Sequence, residues 1–342
     1  MSKKWYEIAG NDADVIISTR ARLARNVKGY PFTGLLTPQG LWQITEKVLS
    51  AMKPLEDSLN AGLHYLPLET QTSAERSALV EQHLISPAFA KGDGALMLSK
   101  DHSISIMIGE EDHLRLQVLA PGFDLQNTYS KLSVLEEGLS QNMTFAFDDT
   151  LGYLTQCPTN LGCALRVSVM AYLPALEHSG ALQAIIKRAH SLGLAIRGFY
   201  GEGSAASGSL YQISNERSLG LSEEQILQNV GDMVHRIIQA EREARRTYLT
   251  DRAAFEDRVW QAYGVLRYGR LLSYSRTLEL CGLLRQGIGL GVITDIDYTL
   301  LSKMIVTTGA GAICAAQETD LTPRQRDWER AKVVRDMLQG EA

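Results

Sequence analysis

The sequence predicts an α+β protein, an antiparallel β-sheet flanked by helices and followed by an all-helical C-terminal domain. Residues 95–98, 104–108 and 114–119 each have the length and apolar content of a strand. The segments between them, 99–103 and 109–113, allow only tight connections. A parallel crossover needs about a dozen residues or more, so these strands form an antiparallel meander. From Val15 to about Asn215, further strand-like runs at 15–18, 143–147 and 166–173 alternate with helical stretches, whereas beyond Asn215 helical periodicity takes over.

In that second part, Ser222 with Gln225 three residues later is a capping box, opening a long amphipathic helix through about Tyr248. Asp251 can cap the next helix, in which Phe255, Val259, Ala262 and Leu266 recur at helical spacing as core positions. Thr322 as cap, Pro323 in the first turn and Gly340 past the end bound a last helix. A boundary near Leu249 divides a domain at 14–249 from a helical one at 250–342. Two domains suit a chain of 342 residues, because single hydrophobic cores stop growing at about 250–300 residues.

With 45% hydrophobic and 21% charged residues, the composition is that of a globular protein. No apolar run approaches the roughly 20 residues that cross a bilayer. Residues 1–14 lack the apolar core of a signal peptide, so no membrane association and a cytoplasmic location are expected. Cys157, Cys163, Cys281 and Cys314 show no C-x-x-C spacing, which predicts reduced thiols and no zinc or other bound metal cluster. A net charge of −5 argues against a nucleic-acid-coating protein but leaves room for a local basic pocket.

The arginines therefore matter by position. No G-x-x-x-x-G-K-[ST] loop occurs, and Gly201-Glu202-Gly203-Ser204 does not complete a G-x-G-x-x-G motif. A bound nucleotide would have to be neutralised by side chains, and Arg20, Arg22, Arg115, Arg166 and Arg197 stand at the ends of predicted strands. Each guanidinium offers a rigid donor fork that matches a pair of phosphate oxygens and keeps its charge. Residues two apart on a strand, such as Arg20 and Arg22, share one face. Singly, each is an ordinary surface charge; their conjunction with particular neighbours carries the weight.

Those neighbours are Ser18-Thr19-Arg20-Ala21-Arg22, Glu110 to Arg115, Cys157-Pro158-Thr159-Asn160-Leu161-Gly162 through Arg166-Val167-Ser168-Val169, and Arg197 to Glu202 followed by Tyr211-Gln212-Ile213-Ser214-Asn215. In this order they resemble the phosphagen (guanidino) kinases, the family of creatine kinase and arginine kinase. The resemblance implies that the five arginines clamp the phosphates of Mg-ATP. It also implies that Ser18, Thr19 and Ala21, the run Val167, Ser168, Val169 and Met170, the run Gly198, Phe199, Tyr200, Gly201 and Glu202, and His83 adjoin the nucleotide.

A guanidinium is a delocalised cation whose nitrogens are poor nucleophiles until a proton leaves. A carboxylate can align it through two parallel N–H bonds and take that proton. Glu111 and Glu202 match the family glutamates, with Glu111 chosen as base and Glu202 as orienter. Cys157 matches the family's reactive cysteine, whose thiolate is expected to act electrostatically and by position.

Metabolic members of the family carry a helical domain ahead of the catalytic one, whereas here the first clamp motif begins at Ser18. An open pocket, suited to an arginine side chain on a polypeptide, is the expectation. Near the end stands Arg326-Asp327-Trp328-Glu329-Arg330-Ala331. With it the chain is similar to the bacterial protein arginine kinases of the McsB type, in which this motif forms a phosphoarginine pocket. Arg326 and Arg330, four apart on a helix, could grip phosphate while Asp327 bonds a guanidinium. The resemblance further implies a stress response in which phosphoarginine marks proteins for a Clp protease. An activator protein and a heat-shock repressor are the partners it implies, and a homodimer or higher oligomer is expected. A small-molecule guanidino kinase and an idle phosphoarginine-binding adaptor are the alternatives. The sequence departs from the family in two places: Cys163-Ala164 replaces the usual Thr-Gly, and Tyr200 replaces the second arginine of the metabolic enzymes.

Overall fold

Alternation along the strands, apolar on one face and polar on the other, decides how this chain is layered. The computed structural model describes residues 3–59, 61–198 and 208–340. Its strands are β1 (Ile16–Arg25), β2 (His64–Pro67), β3 (Ala95–Leu98), β4 (Ile104–Ile108), β5 (Leu114–Pro121), β6 (Phe147–Asp148), β7 (Gly152–Tyr153), β8 (Leu165–Tyr172), β9 (Leu194–Gly198) and β10 (Leu210–Asn215). Eight of them form one sheet in the order β2-β3-β4-β5-β1-β8-β10-β9, every neighbouring pair antiparallel, and β6 and β7 form a separate hairpin.

The helices are α1 (Pro38–Leu59), α2 (Ser73–Glu81), α3 (Leu125–Ser140), α4 (Pro174–His178), α5 (Leu182–Ser191), α6 (Glu223–Arg245), α7 (Arg252–Tyr268), α8 (Tyr274–Gly289), α9 (Tyr298–Thr307), α10 (Ala310–Ala316) and α11 (Pro323–Gln339). The α+β class and the meander agree with the sequence, as do the caps at Ser222, Asp251 and Thr322 and the left-handed Gly340. The α6 helix ends at Arg245 and continues as a 3-10 segment, Arg246–Asp251, rather than as α-helix to Tyr248.

Two strand expectations need correction. β1 runs for 10 residues instead of ending at Ser18, because Arg20 and Arg22 alternate with the buried Ala21 and Leu23 and so occupy its polar face. Arg20 and Arg22 therefore lie in mid-strand, not at a strand end. Residues 143–147 make no strand of their own: Phe145 forms an isolated bridge to Val27, and only Phe147 enters β6.

One face of the sheet is apolar. Leu23, Ile106, Leu116, Val167, Val169 and Ile213 pack there with Ile44 and Val48 of α1, Leu132 and Leu135 of α3, and Val230 and Val234 of α6. Toward the carboxyl end of β8, the other face is apolar too. Ile17, Met170, Tyr172 and Leu210 share a core with Phe255 and Val259 of α7, Leu278 and Leu284 of α8, Leu301 of α9 and Val334 of α11. The helices after Leu249 are thus built onto the sheet. Among the described residues no single helix is long and apolar enough to cross a membrane, although α9 and α10 together, bent by 81°, meet the length and composition.

A charge network ties the chain's beginning to α6. Arg245 donates to Glu241 at 2.8 Å, to Asp14 at 3.4 Å and to the Asp14 carbonyl at 3.0 Å, while Glu241 accepts the backbone N–H groups of Ala175 and Leu176 at 3.2 and 3.0 Å. Arg285 of α8 reaches the carbonyl of Ala13 and the hydroxyl of Ser302. Because Glu241 is fully buried, truncating it strands a buried cation and two amides. Glu241→Ala should lower stability by about 3–5 kcal/mol, read as a fall in the urea midpoint. Arg242→Ala, which removes an exposed pair to Asp12 and Asp14, should change it by less than about 1 kcal/mol.

Candidate active site

Beside the apolar region of that second face runs a cationic stripe. Arg20 and Arg22 of β1, Arg115 and Gln117 of β5, Arg166 and Ser168 of β8, and Gln212 of β10 meet there; Arg22 is the register partner of both Gln117 and Arg166, and Arg20 that of Ser168. Arg20 donates to Ser168 Oγ at 3.2 Å and to Gln212 Oε1 at 3.0 Å. The stripe, with Arg197 and His83, lines a cleft of about 300 Å³.

Four cations so close, and so enclosed, oppose each other's charge. Burial, then Arg166 and Arg115, push Arg20 down to about 10, and burial with the same set of neighbours carries Arg22 further down. The Nε of Arg22 is buried and lacks a hydrogen-bond partner among the described residues. His83, whose backbone takes a left-handed φ of 60° where α2 ends, is pushed down to about 3 by burial and by Arg20 and Arg22. It is a neutral imidazole at ordinary pH. A cavity lined by arginine forks with surplus positive charge has the chemistry to accept a polyanion.

Across Arg22, Arg115 and Arg166 lies a second pocket, of about 180 Å³, whose other walls include Glu111, Cys157, Thr159 and Asn160. Glu111 sits in the turn between β4 and β5, 3.2 Å from Arg115, with 38% of its side chain exposed. Burial raises its pKa above the usual carboxylate value, Arg115 opposes that, and the adjacent Glu110 adds to it. Glu110 is enclosed and pairs with Arg115 at 2.8 Å, while also accepting from Ser86 Oγ at 2.6 Å. Cys157 Sγ lies 3.0 Å from Thr159 Oγ1.

The turn itself is rigidly held. Asp112 Oδ1 accepts from Asn26 Nδ2 and from the backbone N–H of Gln156, both at 2.7 Å. Asn26 Oδ1 accepts the N–H of His113, and His113 Nδ1 accepts that of Val27, both at 2.9 Å. One buried acid thus fixes both Glu111, its neighbour in sequence, and the chain entering Cys157.

Not every residue implied to adjoin the nucleotide faces the cleft. Thr19 is buried, bonding the Gly122 carbonyl at 2.7 Å, and Ala21, Val167 and Val169 point into the main core. Ser18 and Met170 are buried register partners farther along the cleft face, where Met170 joins the second core. Gly198 ends β9 opposite Tyr211. Phe199, Tyr200, Gly201 and Glu202 lie outside the described residues. Ala164, where the family carries glycine, takes a left-handed φ of 55°, which a side chain adopts at some local strain. Gln117 and Gln212 were legible from the two-residue alternation with Arg115 and Ser214; Glu110 and Asp112 fall in the Glu110 to Arg115 segment but were given no role, and Tyr274, which comes from α8 to line the cleft, had no signal that marked it.

The 326–331 motif lies on α11. Arg330 is buried, donating to the carbonyls of Thr308 at 2.6 Å and Leu272 at 2.8 Å and to Asp327 Oδ1 at 2.7 Å. These bonds hold α11 to its neighbours. Arg326 donates to the Leu321 carbonyl at 2.7 Å; Trp328 is exposed and Ala331 buried, with Asp327 and Glu329 half-buried.

Comparisons with known proteins agree with this geometry. Residues 43–244 match the model of the ATP:guanido phosphotransferase C-terminal catalytic domain, and residues 252–342 that of the protein-arginine kinase McsB C-terminal domain. The chain is 40% identical to the protein-arginine kinase of Desulforamulus reducens over 341 residues, 98% of this chain and 95% of that one. It is 39% identical to the protein-arginine kinase of Brevibacillus brevis, with 98% and 94% covered. Among solved structures, lombricine kinase aligns with a TM-score of 0.59 at 25% identity, covering 68% of each chain. The duplicated taurocyamine kinase of Schistosoma mansoni, with bound transition-state analogue components, aligns with a TM-score of 0.59 at 29% identity over 70% of this chain and 34% of that one. The cationic cleft shares a wall with a pocket that holds Glu111 and Cys157, and the chain belongs to the ATP:guanido phosphotransferase family, with a McsB-type C-terminal domain.

Proposed function

We propose that this enzyme transfers the γ-phosphoryl group of Mg-ATP to the guanidinium of arginine side chains in proteins. The single observation that carries this is the shared wall: Arg22, Arg115 and Arg166 border both the cleft and the pocket that holds Glu111 and Cys157. A phosphoryl group crossing from one to the other would pass between fixed cations, where its transferring charge is stabilised throughout. Magnesium enters as part of the substrate, complexed to the triphosphate.

Arg20, Arg22, Arg115, Arg166 and Arg197 hold the phosphates. Glu111 accepts a guanidinium proton as the N–P bond forms and the bond from the γ-phosphorus to the β,γ-bridging oxygen breaks, releasing ADP. Glu202 orients the opposite edge of the guanidinium, and Cys157 offers a partial negative charge beside it. The relatives' names and the C-terminal domain support a polypeptide substrate over a free amino acid. The 326–331 motif of α11 is the phosphoarginine pocket, with Arg326 and Arg330 for the phosphate and Asp327 for the guanidinium. A role in marking proteins for a Clp protease in the cytoplasm, with an activator and a heat-shock repressor, rests on the resemblance alone.

Incubation with Mg-ATP and an unfolded, arginine-rich protein should yield an acid-labile, alkali-stable phosphate, with far less on free arginine. Equal or better turnover of free arginine would favour a metabolic kinase, and none on either substrate an idle adaptor. Glu111→Gln should lower kcat by about 10²–10⁴-fold; full activity would remove the base assignment.

The pH profile gives a second check. Activity needs the ionised Glu111, whose pKa is raised, so kcat/KM should fall on acidification at a pH above the ordinary carboxylate range. Glu110→Gln removes a like charge and leaves Arg115 to Glu111, both of which should move that limb to lower pH. An unmoved or upward-moving limb would contradict the assignment.

Nucleotide binding is open to a separate measurement. The His83 imidazole, pushed down to about 3, should show no NMR titration above about pH 4 in the empty protein. Added tripolyphosphate, by offsetting Arg20 and Arg22, should raise its midpoint; an unchanged midpoint at saturation would place the anion elsewhere.

A further inference from the structure

The arginine cleft has a direction, which β1 records. Ala24 borders only the pocket that holds Glu111, Arg22 borders both pocket and cleft, and Arg20 borders only the cleft. Ser18 comes next on the same face, paired with Met170 of β8. At about 3.3 Å per residue, it lies roughly 13 Å from Arg22 along the strand. The group to be transferred belongs at the wall that cleft and pocket share. The phosphates behind it therefore run from Arg22 toward Arg20, and the nucleoside follows them toward Ser18.

At that end the second core begins. Ile17 and Met170 belong to it together with Leu278 of α8, and Tyr274, one turn before Leu278, packs against it while lining the cleft. The side chain is half-buried and held from several directions. Its hydroxyl donates to the Ile305 carbonyl at 2.8 Å. Two residues earlier, the N–H of Leu272 donates to the Asp327 carbonyl at 3.0 Å, and the Leu272 carbonyl accepts from Arg330 at 2.8 Å. The Arg330 guanidinium carbon stands over the ring, 5.8 Å from its centroid. With its single polar atom engaged, Tyr274 has aromatic surface, and not a hydroxyl, to offer a ligand.

We infer that Tyr274 is the residue against which the base of the nucleotide packs, so that the C-terminal helical domain supplies part of the affinity for the nucleotide. This deepens the proposed function and rests on it. The arginines recognise phosphate oxygens and make no distinction between a nucleoside triphosphate and a bare phosphate chain. A fixed aromatic ring recognises the flat π-face of a base and nothing in the phosphates. The two sets of residues therefore read different parts of one ligand, and they come from different domains.

Titration calorimetry on the full chain tests this with two probes, the magnesium complexes of β,γ-methylene-ATP and of tripolyphosphate. Tyr274→Ala should weaken binding of the ATP analogue about tenfold or more. Tripolyphosphate has no base to lose, so its Kd should stay within about twofold of the parent's. Tyr274→Phe keeps the ring and gives up one hydrogen bond, and should hold the analogue within about threefold of the parent. That variant guards against a loosened α8 in Tyr274→Ala. Equal losses on the two probes in Tyr274→Ala, or a Phe variant as weak as the Ala variant, would make Tyr274 a structural wall and overturn the inference. An unchanged Kd for the analogue in Tyr274→Ala would overturn it as well, placing the base elsewhere in the cleft, with Val80 and Ile85 as the remaining apolar lining. A parent that binds tripolyphosphate as tightly as the analogue would leave no base subsite to assign. A parent that binds neither probe would instead overturn the proposed function.

Discussion

The molecule is organised around a like-charge problem on one face of one sheet. Strand register sets Arg22 opposite Arg166 and brings Arg20 and Arg115 alongside, and burial denies these groups the water that would screen them. A purely structural sheet face would not be built this way, since apolar residues of similar size would pack there at lower free energy. Glu110 is the counter-charge placed among them, and it is fully engaged with Arg115. The remaining positive potential is left for a ligand, and a triphosphate is the common biological anion with enough charge and enough oxygens to satisfy it. Binding then relieves a cost already present in the empty protein, so the arginines need little rearrangement to act.

The same economy governs the acidic side. A carboxylate must be partly dry to have a raised pKa. Glu111 is kept so because the turn around it is fixed by Asp112, Asn26 and His113 while its own carboxylate stays half exposed. Asp112 also holds the N–H of Gln156, so the positions of Glu111 and of Cys157 are set by one buried group. A change at Asp112 would disturb two walls of the pocket at once, although its side chain lines neither cavity.

Local signals in the sequence were enough for much of this. Ile104 to Ile108 is buried throughout and Ala95 to Leu98 likewise, so apolar content alone located β3 and β4. The helix caps are chemical features of a few adjacent residues, and they were legible for the same reason. β1 was cut short because charged residues at alternate positions look like the end of a strand until one knows that a cleft lies over them. Residues 143–147 misled in the opposite sense: their apolar side chains are buried without a sheet to join. Tyr274 and Glu81 could not have been found, since their contribution depends on how distant helices dock, and nothing within their own segments reports it.

That docking brings Tyr274 of α8 into the wall of the arginine cleft. Glu81, at the end of α2, accepts the N–H groups of Gly311 and Ala312 at 2.8 and 2.9 Å, a carboxylate set against the start of α10 where the helix dipole favours it. Gly309 and Gly311 permit the approach, for a Cβ at either would lie within 2.5 Å of Glu81 or Ser77. Two residues after Glu81 comes His83 in the wall of the cleft, and across from it stands Tyr274, whose hydroxyl is tied to the Ile305 carbonyl at 2.8 Å. Arg330 completes the arrangement by gripping the carbonyls of Leu272 and Thr308, which immediately precede the segments that bear Tyr274 and Gly309. The Arg330 guanidinium thus fixes the backbone just before Tyr274, which lines the cleft, and just before Gly309, which meets Glu81. A chain cut after α6 would lose one wall of that cleft as well as the helices themselves.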